Sequence, residues 1–377
     1  MDFQFTDEQR AIQETIRDFM AKECPREVAR DLDARQVFPS ELLDKIAALG
    51  FCGLNTPEEF GGGGENLLGS IIALEEMATI CPTLASAFAS VVLRGGCALS
   101  KLGSADQKKN FLPKLAQGKT RFTFAIGEPS ECIEAIASQD DFVLNGERRF
   151  VPLSDQTDYI LTRAQSKQGT SFFIMNAKAA GLRAKRIDQV GFRGAHLCQV
   201  FFGSVRVARA DILGGEAFLN RGAEQMRTLS ELQKIETAAL CLGIAQGAYD
   251  YAANYARERV QFGKPLAEFE AIQHMLVDIA IDLRASRLLL YQAGALADQG
   301  APCALDASIA HLHAVESARQ AALQCLHILG GYGYMMEYDA QRYVRDALAL
   351  LEGCESTAIL KNSIGALLGL AEPEKLK

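Results

Sequence analysis

The sequence predicts an α+β protein built in three consecutive parts. Apolar residues recur at helical spacing in residues 1–117, alternate with polar residues in residues 118–216, and return to helical spacing in residues 217–377. Helix, sheet and helix in separate blocks are typical of a chain with segregated layers. We therefore expect a helical N-terminal domain, a small β middle domain and a helical C-terminal domain.

The first helices are predicted from caps and periodicity. Thr6 followed by Gln9 is a capping-box pattern, which predicts a helix start. The apolar residues that follow on one helical face are Ile12, Ile16, Phe19 and Met20. A second helix is predicted through Leu42, Leu43, Ile46 and Leu49, and it ends at Gly50.

The middle part carries strand signals. Asn145 and Gly146 stand between alternating apolar residues, a pattern that predicts a β-hairpin with its turn at these two positions. Further strand candidates are TDYILTRA (157–164), SFFIMNA (171–177) and HLCQVFFGSVRV (196–207).

Two long amphipathic helices are predicted in the last part, at 270–300 and 304–329. Their apolar faces are larger than one bundle needs to bury. This excess predicts that the chain associates with other chains.

Composition and charge exclude several classes of protein. The formal net charge of −8 argues against a nucleic-acid binder, which needs a basic face. No run of about 18 apolar residues is present, so we expect no membrane span. The N-terminus is acidic and polar, unlike a signal peptide, which favours a cytoplasmic location.

Ten cysteines without a CxxC pair favour buried, reduced thiols. No metal site is expected, because His311 and His313 are two positions apart on a helix and point to different faces.

Four segments, in this order, resemble the acyl-CoA dehydrogenase family. They are ALGFCGLNTPEEFGG (48–62), LNGERRF (144–150), ARERVQFGKPLAEFEAIQ (256–273) and HILGGYGYMMEYDAQRYVRDALALLEG (327–353). The resemblance covers essentially the whole chain. It implies a helical N-terminal domain, a β-barrel-like middle domain and a C-terminal four-helix bundle. It also implies FAD and an acyl thioester of coenzyme A or of an acyl carrier protein.

The resemblance implies a catalytic base. Oxidation between Cα and Cβ of an acyl thioester needs a base for the α-proton and a hydride acceptor, which no side chain provides. Glu352 matches the family's catalytic glutamate, and its backbone N–H, beside Gly353, is implied to polarise the thioester carbonyl. From position alone, Glu352 could equally be an ordinary carboxylate after a helix. Arg345 and Asp346 match the family's Arg–Asp pair, for which we expect a structural ion pair.

A second set of residues matches the family's flavin segments in the C-terminal part. Arg259, Gln261 and Phe262 match the pyrophosphate segment, and arginine binds phosphate through its planar fork. The alternative for Arg259 is a solvated arginine at a helix end. Gly330 and Gly331 form a turn where backbone can approach the cofactor. His327 stands beside this turn where a glutamine is common, and as a lone histidine it can equally be a packing or capping residue.

The flavin-ring side departs from the family's pattern. Phe124 and Gly127 lie in a segment resembling the family's loop, but Gly127 replaces a threonine, and the usual Ala-Gly-Ser-Asp is absent. Phe150 can still stack on the ring, whereas Pro152 replaces a threonine and has no N–H. Three readings stay open. The chain binds FAD weakly, or it is a flavin-poor subunit that completes the site of a homologous partner, or it uses Glu352 without redox chemistry as a thioester isomerase, lyase or hydrolase.

Two basic residues are assigned to the substrate. Arg94 falls where the family usually has an apolar residue near the acyl pocket, and a buried arginine needs a partner. That partner is either an acidic group of the substrate or an internal carboxylate. Lys234 replaces an arginine common near the thioester. The resemblance implies electron-transferring flavoprotein as the redox partner and a homotetramer or a heteromer with a homologous subunit.

Overall fold

The computed structural model describes residues 4–127, 133–138, 141–353 and 356–370. Its N-terminal part is helical, with a two-stranded β-ladder (β1 Asn55–Thr56, β2 Gly64–Glu65) and a π-helix at Val92–Cys97. The helices are α1 Asp7–Glu23, α2 Arg26–Arg35, α3 Ser40–Ala48, α4 Leu67–Ala78, α5 Pro82–Val91, α6 Ala98–Leu102 and α7 Ala105–Ala116. The predicted capping box is confirmed, because the Thr6 hydroxyl accepts the Gln9 N–H and the Gln9 side chain accepts the Thr6 N–H.

The middle part is a curled, seven-stranded sheet, as predicted. The strand order is β3-β6-β4-β5-β9-β8, and β7 pairs with β6. Its strands are β3 Phe122–Ala125, β4 Glu134–Ser138, β5 Asp141–Pro152, β6 Tyr159–Gln165, β7 Thr170–Asn176, β8 Leu182–Arg186 and β9 Leu197–Ala208.

The predicted hairpin turn at Asn145 and Gly146 is wrong. Strand β5 runs straight through these residues and pairs with β9 along its length and with β4 up to Asn145. A bulge lies between Leu144 and Gly146, and the Asn145 side chain accepts the Ser204 N–H at 2.8 Å. Asn-Gly therefore produces a bulge here, because hydrogen-bonding strands on both sides favour continuing the strand over reversing it.

The C-terminal part contains the predicted four-helix bundle, formed by α8 to α11. Helix α10 lies against α8, α9 and α11, and α12 packs on α10. The helices are α8 Gly222–Glu258, α9 Glu270–Asp298, α10 Ala304–Leu329, α11 Ala340–Gly353 and α12 Thr357–Leu367. The two long helices predicted at 270–300 and 304–329 are thus confirmed within two residues at each end. A short hairpin, β10 Val260–Gln261 and β11 Lys264–Pro265, follows α8.

The N-terminal part and the bundle share one hydrophobic core. Within the described residues, the stretch Pro82–Leu102 is long and apolar enough to cross a membrane by length and composition, but it is buried inside the protein up to Ser100. The eight described cysteines are all free and buried, as predicted. Cys132 and Cys354 lie outside the residues whose side chains are described.

Candidate functional site

The hairpin after α8 holds two of the predicted flavin residues, Gln261 and Phe262, and Arg259 directly precedes it. Phe262 and Gly263 form its two-residue loop with φ of 53° and 82°, the backbone of a type I′ turn. The first position of such a turn favours asparagine or glycine, so a phenylalanine runs against local preference. The Phe262 side chain is 94% exposed. Gln261 only bonds locally, as its Nε2 donates to the Val260 carbonyl at 2.7 Å.

The predicted glycine turn lies directly beside this hairpin. The Arg259 guanidinium stacks over the Tyr332 ring, 5.4 Å from its centroid. Gly330 ends α10 with a φ of 58°, and a Cβ at Gly330 or Gly331 would meet nothing within 4 Å. His327, one turn earlier, is exposed. The hairpin and the turn thus form one open surface whose backbone another molecule can approach closely.

Phe150 is presented at the sheet edge under strain. Its φ is 56°, a left-handed value that is rare for a bulky side chain and is found where structure or function imposes it. A register shift in β5 between Arg148 and Val151 produces this conformation. The ring is 53% exposed, and the Arg149 guanidinium lies 5.3 Å from its centroid. The result is an aromatic platform suited to stacking.

Three predicted ring-side positions, Gly127, Phe124 and Pro152, provide no side-chain hydrogen-bond donor. Gly127 has a φ of 59°, and a Cβ there would lie 2.4 Å from Arg148 Nη1, so no threonine fits without a shift. The Phe124 side chain is packed in the main core, which leaves only its backbone for a ligand. The Pro152 carbonyl accepts a hydrogen bond from the Thr123 hydroxyl. Glu128 and Pro129, which complete the predicted loop, lie outside the described residues.

Glu352 and Gly353 lie in the last turn of α11, and their side chains are outside the described part of the structure. Two neighbours earlier in α11 fix this helix to the rest of the protein. Arg345 bonds to Asp33 in α2, with Nη2 2.6 Å from Oδ2. Asp346 accepts the Phe192 N–H of the middle part at 2.7 Å. The expected pairing of Arg345 with Asp346 is wrong, because each side chain bonds to a different part of the molecule.

Burial raises the pKa of Asp346 to about 6, because its surroundings penalise the charged form. The Arg342 charge and the Phe192 N–H oppose this rise only in part.

Arg94 is buried in the π-helix and pairs with an internal carboxylate. Its Nε donates to Glu236 Oε2 in α8 at 3.0 Å, and its Nη2 donates to Oε1. Of the two alternatives for Arg94, the structure therefore shows the internal partner. Its Nη1 is buried and has no hydrogen-bond partner among the described residues.

Lys234 and Glu236 both lie on α8, but their side chains contact different neighbours. Its Nζ donates to the Ser308 hydroxyl on α10 at 3.0 Å. One turn along α10, His311 is buried, and its ring nitrogens have no hydrogen-bond partner in the described part of the chain. Burial, assisted by the Lys234 charge, lowers the pKa of His311 to about 4, so the ring is neutral at physiological pH.

Family models match most of the chain. Residues 6–119 match the acyl-CoA dehydrogenase N-terminal domain, and residues 220–368 match the acyl-CoA dehydrogenase C-terminal domain. The chain is 32% identical, over 97% of its length and 98% of the relative's, to a probable acyl-CoA dehydrogenase, YngJ, of Bacillus subtilis. The chain belongs to the acyl-CoA dehydrogenase family.

Two further relatives of this acyl-CoA dehydrogenase family member bear on its site. The CarC subunit of the caffeyl-CoA reductase-Etf complex of Acetobacterium woodii is 32% identical to this chain. The match covers 91% of this chain and 93% of the CarC sequence. The structure of butyryl-CoA dehydrogenase from Megasphaera elsdenii superposes on this chain with a TM-score of 0.92 and 28% sequence identity. The match covers 98% of this chain and 100% of the butyryl-CoA dehydrogenase chain. Fold and family both identify the chain as an oxidoreductase of a flavoprotein family.

The phosphate side of the candidate site fits FAD better than the flavin-ring side does. The hairpin and glycine turn offer a guanidinium, an open backbone and the ring of Tyr332, which suit a pyrophosphate and its flanking groups. Phe150 offers a stacking surface for the isoalloxazine. The side chains at Gly127 and Pro152 provide no donor. The residues present thus fit the cofactor, with fewer polar contacts to its ring than the family's pattern provides.

Two residues at the site were not predicted from the sequence. Glu236 is the partner of Arg94, and its position in the apolar stretch KIETAAL was the available signal, because a carboxylate there must be buried and paired. Tyr332 is the ring under Arg259, and nothing in the sequence distinguishes it from Tyr334 two positions later.

Proposed function

We propose that this acyl-CoA dehydrogenase family member oxidises an acyl-CoA thioester between Cα and Cβ, with Glu352 as the base that removes the α-proton. When bound, FAD supplies the hydride acceptor. The observation that carries the proposal is the anchoring of α11. Asp33 and Phe192, from two other parts of the molecule, hold Arg345 and Asp346, which precede Glu352 by less than two turns in the same helix, and this anchoring supports Glu352 as the base.

Each remaining element has a task within this proposal. Phe150 orients the flavin ring by stacking. Arg259, with the open glycine turn, binds the cofactor's phosphates. The helices of the two matched family domains enclose the thioester. Exclusion of water strengthens the electrostatic interactions within the site. Lys234, whose Nζ donates to the Ser308 hydroxyl between α8 and α10, is assigned to the thioester end of the substrate.

We further propose electron-transferring flavoprotein as the redox partner and coenzyme A as the carrier. Support comes from the relative in Acetobacterium woodii, which is a subunit of a caffeyl-CoA reductase-Etf complex. Acyl carrier protein is the alternative carrier. For the assembly we propose a tetramer, either of identical chains or of two chains with two copies of a homologue.

The flavin occupancy of this chain is expected to be low. Gly127 and Pro152 remove two or three polar contacts, each worth about 0.5–1.5 kcal/mol, which weakens binding by about one to three powers of ten. The chain expressed alone should therefore carry clearly less than one FAD. The missing side-chain donors at Gly127 and Pro152 also favour a second candidate function, that of a flavin-poor subunit completing the site of a typical homologue. A visible absorption spectrum of the chain alone, and of the chain co-expressed with its homologue, separates the two.

Glu352→Gln tests the catalytic assignment. The amide keeps the shape of the side chain but cannot accept a proton, so turnover with added FAD and an artificial electron acceptor should fall by about 10²-fold or more. Thioester affinity, measured by calorimetry, should stay nearly unchanged. Glu14→Gln, on the exposed face of α1, is the matched control and should leave both quantities unchanged. An unchanged rate in Glu352→Gln would place the base elsewhere, with Glu355 or Glu128 next to be tested.

A further inference from the structure

The Arg94–Glu236 pair is an unusual feature for the inside of a protein. Both side chains are more than nine-tenths buried. The pair leaves one guanidinium nitrogen, Nη1, without a hydrogen-bond partner among the described residues. A buried donor without a partner costs about 1–3 kcal/mol, so such groups usually serve a ligand or a bound water.

The backbone around Arg94 carries an independent sign of function. Residues Val92–Cys97 form a π-helix between α5 and α6. Such segments are rare and lie frequently at functional sites, because the extra residue per turn redirects a side chain. Here it directs Arg94 towards α8.

The pair lies where elements from all three parts of the molecule meet. A Cβ at Gly95, next to Arg94, would lie 3.3 Å from Phe122 Cδ2 in β3. Strand β3 leads directly to Gly127 at the candidate flavin loop, and Glu236 belongs to α8 of the bundle. Ligand pockets form preferentially at such domain junctions.

The charges decide which ligand suits Nη1. Glu236 already neutralises Arg94, so the pair has no net charge. A carboxylate bound at Nη1 would add an uncompensated buried negative charge next to Glu236, which is costly. A hydroxyl, carbonyl or amide oxygen would accept the free N–H without adding charge. A plain alkyl group would leave Nη1 unpaired.

We propose, building on the proposed function, that Arg94 selects acyl thioesters whose acyl chain carries a neutral oxygen acceptor. Arg94 is a specificity-determining residue, and Glu236 positions it. The free Nη1 donates one hydrogen bond to this oxygen, while Nε and Nη2 remain on Glu236.

The test is calorimetric binding of thioesters to the purified full-length protein carrying Glu352→Gln, which removes the proposed base so that the bound thioester does not react. Three coenzyme A series of increasing chain length are compared: linear alkanoyl, ω-hydroxyalkanoyl of equal heavy-atom length, and ω-carboxyalkanoyl. At the length that reaches Arg94, we expect the ω-hydroxy compound to bind about tenfold more tightly than its alkyl match. The ω-carboxy compound should bind more weakly than the ω-hydroxy compound.

The double variant Arg94→Met/Glu236→Met removes the pair while keeping the volume apolar, a change that buried ion pairs tolerate well. It should reverse the preference in favour of the alkyl chain and leave the affinity for coenzyme A itself unchanged. Arg94→Lys, which keeps the charge but not the fork, should retain part of the preference.

The outcomes separate the two levels of the proposal. If a folded protein binds no thioester, the proposed function fails and this inference fails with it. If thioesters bind without an ω-hydroxy preference at any length, or with the same preference in the double variant, this inference alone is overturned, and Nη1 is satisfied by water. If the ω-carboxy series binds most tightly, the requirement for a neutral acceptor is wrong.

Discussion

Two buried titratable residues, Asp346 and His311, should affect stability with opposite dependence on pH. The pKa of Asp346 is raised by burial from 3.8 to about 6, so between these values the folded protein keeps a proton that the unfolded chain releases. Its contribution to stability is present at low pH and is lost as the pH rises to about 6. The pKa of His311 is lowered by burial from 6.5 to about 4, so its contribution is lost as the pH falls through that range.

We therefore predict that two single variants have mirror-image pH profiles. Asp346→Asn keeps an oxygen for the Phe192 N–H, and it should gain stability relative to the wild type as the pH rises from about 4 to 6. His311→Leu should gain stability relative to the wild type as the pH falls from about 6.5 to 4. Each effect should reach on the order of 2–3 kcal/mol. Urea unfolding at several pH values measures both, and difference curves with the same slope would contradict the assignment.

The sequence predicted single residues better than it predicted their partners. Arg94 was identified as a buried arginine in need of a carboxylate, but Glu236 lies 142 positions away, and no local pattern connects the two. In the same way, Arg345 and Asp346 are adjacent in the sequence, yet helix geometry directs them to different neighbours. Partners are set by tertiary packing, which spacing along the chain does not encode.

At the scale of elements, the long helices were predictable and the strand connection was not. Periodicity over many residues identifies a helix such as α9 with little ambiguity. An Asn-Gly pair predicts a turn only when the flanking segments pair with each other. In β5 both flanks pair with β9 instead, and the first flank also pairs with β4. Helix α2 was missed because it is short and mostly polar.

The contact between α4 and α8 depends on glycine. A Cβ at Gly247 would lie 2.0 Å from the Thr79 carbonyl oxygen and 2.8 Å from the ring of Tyr343. Because the nearest obstacle is backbone, the two elements must separate to accommodate it. We predict that Gly247→Ala costs about 3 kcal/mol or more of unfolding free energy.

Gly365→Ala is the matched control for this prediction. Gly365 also lies within a helix, α12, but a Cβ there would meet nothing within 4 Å. The same substitution should therefore stabilise the protein by about 0.5–1 kcal/mol. Urea midpoints of the two variants measure both effects, and a similar change in the two would show that the contact between α4 and α8 does not depend on Gly247.

At the scale of the whole molecule, the exposed apolar surface is unevenly distributed. Helix α9 exposes Val277, Ile281 and Leu288 on one face, and the Phe262 ring is exposed at the tip of the neighbouring hairpin. Isolated exposed apolar residues are normal, but an aligned set of them marks an interaction surface. An exposed apolar face of the kind predicted for the long helices is thus present on α9, and association with other chains remains the prediction that it supports.

Phe262→Asn tests whether this association exists and whether it matters for the flavin. Asparagine favours the left-handed backbone of the type I′ turn, so the hairpin itself should become more stable. Loss of the ring should nevertheless weaken a tetramer and lower the FAD content, because the resemblance to the family implies that this segment reaches the flavin of a neighbouring chain. Light scattering and the ratio of visible to ultraviolet absorbance measure the two effects. Leu49→Asn, an isolated exposed residue after α3, is the control and should change neither. A wild-type monomer at micromolar concentration, or a Phe262→Asn variant with unchanged mass and flavin, would show that the hairpin serves its own chain alone.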